Sequence, residues 1–341
     1  LLIQGTILSP SGILTNGDLL VESDGRISCS QCDCSSENSY ATASKLVCPD
    51  IVVSAGLINS LERLSWSDSP QVPQSLVRYD HRHQWRQGQD GLPQINLDPP
   101  SAKTRLVGEL RSLTNGVTSM VSSGSQINLV RNLDRSNALD GINAMPVDLS
   151  TFPLGDSNGT RLLSSCDYPN FDKPTPNQAF HMDIAEGVNG YAVNELTCLS
   201  DDGSMGGVNL FPDASLHHAI PLVSDDVNKL VTNNTSVIWT PRSDISLYGA
   251  TTPVTLLKTK GVNVAIGTNW APTGSLDLLS EMACARNFNS DYLDSSLNDK
   301  DLYEMITINA AKSANMQTEI GQLVIGALAD VTLFRGANNN Y

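Results

Sequence analysis

The chain has 341 residues, 40% of them hydrophobic and 17% charged, enough for one large barrel or two ordinary domains with sizeable cores. Thirty-six acids against 21 bases give a net charge of −15, which argues against nucleic acid or an anionic membrane as a partner, because phosphate binding needs clustered Lys and Arg. No apolar run approaches the roughly 18 residues of a membrane-spanning helix.

The first fifty residues read as short strands with turns. They open at "LLIQG" without a Met, which suggests a removed leader or a trimmed chain. "GDLLVESDGRIS" places two apolar runs around Asp24-Gly25, a hairpin signal. Four cysteines crowd this region (Cys29, Cys32, Cys34, Cys48), with Cys166, Cys198 and Cys284 scattered later. A Cys-only zinc site wants two separated CxxC pairs and only one is present. The expectation is therefore disulfides in a secreted, extracellular or periplasmic protein, with Cys284 the odd one out. The four N-terminal cysteines allow three pairings. Sequons at Asn158, Asn233 and Asn234 agree with export but say little.

From Ile51 onward apolar runs alternate with helical stretches. Strands are expected at Ile51–Ile58, Gly116–Val121, Gly141–Val147, Ala179–Ala185, Leu216–Leu222, Ser236–Thr240 and Val262–Thr268. Helices are expected at Thr104–Leu113, with Leu106, Val107, Leu110 and Leu113 on one apolar face, and at Val254–Lys260 and Ser275–Arg286. Seven strands alternating with helices suit a (β/α)8 barrel, typically of about 250 residues; the eighth strand is not legible. Ser65–Pro100 is an irregular insertion. The tail "IGQLVIGALADVTLFRG" returns to strand character. The expected architecture is α/β: a TIM-like barrel over 51–319 and a small β-sandwich domain composed of 1–50 and 320–337.

A split β-domain flanking a barrel is also the layout of the amidohydrolase superfamily, and particular segments carry that resemblance. "GLINS" resembles the end of the family's first barrel strand, normally continued as His-X-His. "HMDIAEG" is similar to its His-X-X-Glu segment, "LHHAIPL" to its next metal-histidine strand, and "AIGTNWAPTGSLDLLSEM" to its last strand. "TINAAKSANMQTEIGQLVIGALADVTLF" resembles the C-terminal signature. "YDHRHQWRQG", "ELRSLTNGVTS" and "VRNLD" look like one bacterial, secreted branch with an imidazolonepropionase- or cytosine-deaminase-like layout. The resemblance implies a divalent metal held by a His pair, further histidines and an Asp.

Carried onto this chain, the metal positions are Leu61, Arg63, Asp183, His218 and Asn269. Only His218 keeps its residue type, and Asp183 exchanges an imidazole for a carboxylate. Glu186, the expected proton shuttle, is retained. Arg63 places a positive charge where a dication would sit. These losses, beside intact fold-bearing motifs, lead to the expectation of a catalytically degenerate pseudoenzyme with no resident metal. It would serve as a secreted scaffold, in self-assembly or with another extracellular protein as partner. The alternative is an active hydrolase of C–N or cyclic amide and ester bonds, with a reduced or metal-free site, using Glu186 and His218. Arg63 and Asn269 at the mouth also suit a small anionic ligand.

Other chemistry is thinner. "DHRH" gives His81 and His83 a His-X-His spacing that on a strand would face one side, as a relocated metal pair or as structural residues. His181, Asp183, Glu186 and His218 make a reduced ligand cluster with a weakly bound metal, or a polar remnant salt-bridged to Arg63. "GSMGG" (Gly203–Gly207) reads as a loop, and Cys284 as a packed helix residue. Trp66, Trp85, Trp239 and Trp270 read as packing or pocket wall.

Overall fold

The computed structural model describes residues 1–72, 77–97, 99–123, 128–200, 207 and 211–336. Residues 203–206 of the glycine-rich run and the Cys48 side chain lie outside the described set. The strands in chain order are β1 (Leu2–Ser9), β2 (Gly12–Val21), β3 (Ile27–Gln31), β4 (Lys45–Ala55), β5 (Leu57–Asn59), β6 (Val117–Met120), β7 (Arg131–Asn132), β8 (Asp148–Ser150), β9 (Phe180–Ile184), β10 (Ala214–His218), β11 (Ser236–Trp239), β12 (Val264–Ile266) and β13 (Val331–Arg335). The helices are α1 (Arg82–Gln87), α2 (Ala102–Thr114), α3 (Gly190–Ser200), α4 (Ser224–Thr232), α5 (Pro241–Tyr248), α6 (Val254–Lys260), α7 (Leu278–Tyr292), α8 (Asp299–Met305) and α9 (Ile308–Ser313).

Both ends of the chain meet in one five-stranded sheet of order β13-β4-β1-β2-β3. The expected sandwich is corrected to this single layer among the described residues. Its apolar face (Ile3, Ile7, Leu19, Val53) packs with Leu323 of the C-terminal segment, so the layer is covered by chain returning from the barrel rather than by a second sheet. The hairpin at Asp24-Gly25 is present, with Gly25 at φ +82°. The expected strand Ile51–Ile58 divides at Gly56: β4 belongs to the terminal sheet and β5 opens the barrel. A Cβ at Gly56 would meet the Thr118 hydroxyl, so the crossing requires a glycine.

The barrel runs β5 to β12, with parallel pairing in the two arcs β5-β6-β7 and β8-β9-β10-β11-β12. Val147 N–H donates to the Leu133 carbonyl at 2.7 Å, bridging the arcs after β7. The last seam closes through Ser60 N–H to Ile266 O, Asn269 N–H to Leu61 O, and the parallel bridge Glu62–Asn269. The missing eighth strand is β7, two residues inside "VRNLD", too short to show a period. The fourth strand lies at β8, not Gly141–Val147.

The central strands are buried on both faces, as strands covered by helices must be. Phe180, Met182, Ile184, Leu216, Val237 and Trp239 pack outward under the helices. Ile58, Leu61, Ile238 and Ala265 face inward with Ala310 and Ala311 of α9. Helix α2 reverses its expected orientation: Leu106, Leu110 and Leu113 are exposed, while Thr104, Gly108, Glu109 and Ser112 are buried. Close approach decides this. A Cβ on Gly108 would meet Ser67 and Leu64, and the Glu109 carboxylate accepts from the backbone of Leu129 and Val130 at 2.6 and 3.2 Å.

Disulfides join Cys29 to Cys34 and Cys166 to Cys198, leaving Cys284 free as expected, and Cys32 as well. Among the described residues no helix is long and apolar enough to cross a membrane.

The closing seam depends on Gly267, where a Cβ would lie 2.7 Å from the Leu61 nitrogen and Cβ. Gly267→Ala must therefore part β12 from β5, with an expected loss of about 1–3 kcal/mol. Urea unfolding measures this; an unchanged midpoint would show the seam to be slack.

Candidate active site

The six residues expected at the site come from four places at the C-terminal end of the barrel, where barrel sites are built. Leu61 and Arg63 follow β5, Asp183 lies in β9 with Glu186 beyond it, His218 ends β10, and Asn269 follows β12. Ala185, His218, Ala219 and Asn269 all have left-handed φ, between +45° and +66°. Such conformations in non-glycine residues cost free energy and cluster at functional sites.

Leu61 is fully buried in the inward apolar cluster and takes no part in polar contacts through its side chain. Arg63 binds two neighbours at once. Its Nη2 donates to Asp183 Oδ2, and its Nε donates to Asn269 Oδ1 at 3.1 Å. Its backbone N–H also donates to the Asn269 carbonyl at 2.7 Å. Burial opposes ionisation of Asp183, but the Arg63 guanidinium and the His217 hydrogen bond outweigh it and hold the carboxyl below its ordinary range.

Below this pair a polar column runs along the barrel interior. Asp183 Oδ1 lies 2.8 Å from His217 Nδ1, His217 Nε2 lies 3.1 Å from His181 Nδ1, and His181 Nε2 lies 2.9 Å from the Ser313 carbonyl. Burial and neighbouring His217 push His181 down to about 3. His181 does face the same way as Asp183, but it is spent on this column. The expected cluster of His181, Asp183, Glu186 and His218 therefore does not converge on one point.

His218 and Glu186 do meet. His218 Nδ1 is 2.8 Å from Asp244 Oδ1 and 3.1 Å from the Thr240 hydroxyl. Its Nε2 lies 3.8 Å from Glu186 Oε2 and has no hydrogen-bond partner among the described residues. Burial works against a charged ring, yet Glu186 and Asp244 prevail and hold His218 up at about 9. Glu186 Oε1 accepts from the Tyr248 hydroxyl at 2.8 Å, and that oxygen accepts from Trp85 Nε1 at 2.6 Å.

His81 and His83 do not form a metal pair. They sit at the start of a helix, not on a strand; His81 caps α1. His81 Nε2 is 3.0 Å from Glu195, and His83 Nε2 is 2.8 Å from Asp156. Between them Arg82 is 1% exposed, pairs with Asp156, and donates to the Asp183 carbonyl at 3.0 Å. With Arg82 N–H on the Glu186 carbonyl at 2.9 Å, α1 holds the end of β9 on which Asp183 and Glu186 stand.

A cavity of about 620 Å³ opens over this floor, lined among others by Arg63, Asp183, Glu186, Asn269, Trp85 and Trp270. Trp270 is flanked by Trp85 at 4.9 Å and by Trp66, edge-on, at 6.1 Å. Trp239, grouped with them in the sequence, is instead fully buried under the helices.

The metal implied by the resemblance is not matched by these donors. Two of its positions are Leu61 and Arg63, both Asp183 oxygens are engaged, and the Asn269 oxygen accepts from Arg63. Among the described residues no three His, Cys, Asp or Glu side chains are grouped to hold an ion. His217, Asp244, Tyr248 and Arg82 were not foreseen as site residues. Only His217 had a signal, the doubled histidine of "LHHAIPL", whose register opposite Asp183 becomes visible once β9 and β10 pair.

Residues 184–340 match the model of the amidohydrolase family. The 5-methylthioadenosine/S-adenosylhomocysteine deaminase of Syntrophobacter fumaroxidans is 33% identical over 125 residues, covering 36% of this chain and 28% of that protein. The 5′-deoxyadenosine deaminase of Methanosarcina mazei is 32% identical over 138 residues, 40% of this chain and 30% of that protein. The chain thus spans under a third of the length of these relatives. In structure, the zinc complex of atrazine chlorohydrolase from Arthrobacter aurescens TC1 superposes with a TM-score of 0.66 at 15% identity, covering 98% of this chain and 87% of that one. Guanine deaminase from C. acetobutylicum gives 0.65 at 13%, covering 97% and 90%.

The expectation of a retired scaffold is corrected by these findings: the relatives carry the names of deaminases and hydrolases, which point to an active enzyme.

Two measurements follow from the geometry. Arg63→Ala leaves the Asp183 carboxylate buried without its cation and should cost about 3–5 kcal/mol, whereas Arg63→Ala with Asp183→Asn should recover much of that loss in urea unfolding. The raised His218 contributes stability that is complete below about 6.5, the unfolded value, and is lost as pH rises through about 9. Glu281, raised by burial to about 7, completes its own loss by about pH 8, so most of the fall above pH 7 belongs to His218. Stability should therefore fall between pH 7 and 9.5 by something on the order of 2–3 kcal/mol, and His218→Gln should flatten that slope; an identical slope in both proteins would refute the assignment.

The chain thus shares the barrel fold of these hydrolases over nearly its whole length, and its residues 184–340 match the amidohydrolase family model, so the resemblance read from its motifs holds.

Proposed function

We propose that the chain is a hydrolase of C–N bonds in activated or cyclic substrates, working without a metal ion and with Glu186 and His218 as its proton-handling pair. The observation that carries this reading is the Glu186 carboxylate on the cavity wall, 3.8 Å from an imidazole that holds its proton at neutral pH and has a free Nε2. A carboxylate and an imidazolium so placed perform general acid–base catalysis, worth about 10²–10⁴-fold.

In the first step water attacks the electrophilic carbon. Its proton passes to Glu186 as the C–O bond forms, and the π-electron pair moves onto the substrate heteroatom. That developing negative charge lies beside the Arg63 guanidinium, held in place by Asp183 and Asn269, so its stabilisation requires no reorganisation. Collapse then breaks the C–N bond, and Glu186 returns the proton to the departing nitrogen. His218, fixed through Asp244, stands 3.8 Å from Glu186 as the second proton-carrying group of the site. The tryptophan wall favours a flat ring. The deaminase names of the relatives support the bond class.

The test is release of ammonia or amine by the purified chain, with a chelator present, from a panel of aminopurine nucleosides, cyclic ureas and lactams. Turnover that persists in chelator and falls about 10²–10⁴-fold in Glu186→Gln is expected. No turnover across the panel, or undiminished turnover in Glu186→Gln, would sink the proposal.

A further inference from the structure

The cavity is walled by three guanidiniums, and their partners differ. Arg63 is matched by Asp183 and Arg82 by Asp156. Arg86 has no carboxylate within salt-bridge distance among the described residues, in a chain that carries 36 acids. Its hydrogen bonds go to neutral groups: Nη1 to His83 Nδ1 at 2.7 Å and Nη2 to the Ser157 carbonyl at 3.4 Å. His83 is held neutral, pushed down to about 4 by burial, so it orients the guanidinium without balancing its charge. The plane is backed by Phe152, whose ring centre lies 4.3 Å from the guanidinium carbon.

We infer that Arg86 is the centre of an anion subsite that takes the carboxylate of a flat, ring-bearing substrate. A half-buried, pre-oriented guanidinium without an acid is an incomplete ion pair, and its planar fork matches a carboxylate bidentately. Trp85, one residue away on α1, presents with Trp270 an aromatic wall in the same cavity. A volume of about 620 Å³ holds a ring together with its acidic substituent. This deepens the proposed function: the ring would lie with its C–N bond at Glu186 while its carboxylate is held by Arg86.

Binding tests the subsite without needing turnover. The full chain is titrated calorimetrically with two matched pairs, orotate against uracil and benzoate against benzamide, and followed in parallel by tryptophan fluorescence. Wild type should bind the carboxylate of each pair at least tenfold more tightly. Arg86→Gln should abolish that preference while leaving uracil and benzamide binding unchanged, and Arg86→Lys should restore part of it, which separates the subsite from general damage to the fold. Equal binding within both pairs, no binding of any probe at millimolar concentration, or a preference that survives Arg86→Gln would overturn the inference. A chain that prefers carboxylates yet turns over no substrate would remove the hydrolase reading and leave the subsite standing.

Discussion

One buried ion pair organises the mouth of this barrel. Arg63 is set on the strand end after β5, reaches Asp183 on β9, and touches Asn269 beyond β12. Three strand ends that a dication would otherwise have to draw together are thus tied by one side chain. A buried carboxylate such as Asp183 is tolerable only with a partner that also answers its second oxygen. Here His217 does so, which carries the constraint into the His181–Ser313 column below. Among the described residues this makes one continuous hydrogen-bonded line down the barrel interior, beside a second buried polar group of Asn59, Glu62 and Thr268.

The segment around α1 adds the second constraint. It lies in what reads as an irregular insertion, yet it docks on the end of β9 through the Arg82 backbone on Glu186, the Arg82 side chain on the Asp183 carbonyl, and the bridge of His81 with Gly187. A Cβ on Gly187 would lie 2.4 Å from the Asp80 carbonyl, so the docking needs a glycine there. The buried Arg82–Asp156–His83 group fixes the helix against the loop after β8, and Arg86 extends from it into the cavity. The charges of this insertion thereby set the position of the residues that line the site.

The barrel was legible because most of its strands are short apolar runs buried on both faces, and because "GLIN", "HMDIAEG" and "AIGTNWAP" mark strand ends. β7 was not legible, since two residues carry no period. The orientation of α2 was misread for a physical reason: a leucine stripe is the ordinary sign of a core face, but close approach at Gly108 and the backbone bonds of Glu109 outweigh it. At the site, residue identity gave the substitutions at 61, 63, 183 and 269 directly. Asp244 and Tyr248 gave no signal: they lie about one turn apart on α5 and reach His218 and Glu186 only after β10 and β11 are paired.

A guanidinium at the place where the resemblance implies a metal changes what the barrel mouth would be suited to do. A metal-bound water supplies both a nucleophile at neutral pH and a Lewis acid. Arg63 supplies fixed positive charge alone, already shared with Asp183, so in the proposed reaction its value would lie in stabilising negative charge as it develops. On the proposed reading the nucleophile is made by proton transfer to Glu186, which stands 3.8 Å from His218 Nε2. That combination favours substrates whose carbon is already electron-poor and whose ring accepts charge, and disfavours unactivated amides. On the proposed reading, the bond class would survive such an exchange while the range narrows to the reactive end of it. On that reading, the aromatic wall and the orientation imposed by α1 would be the means of discriminating among substrates that are all chemically easy.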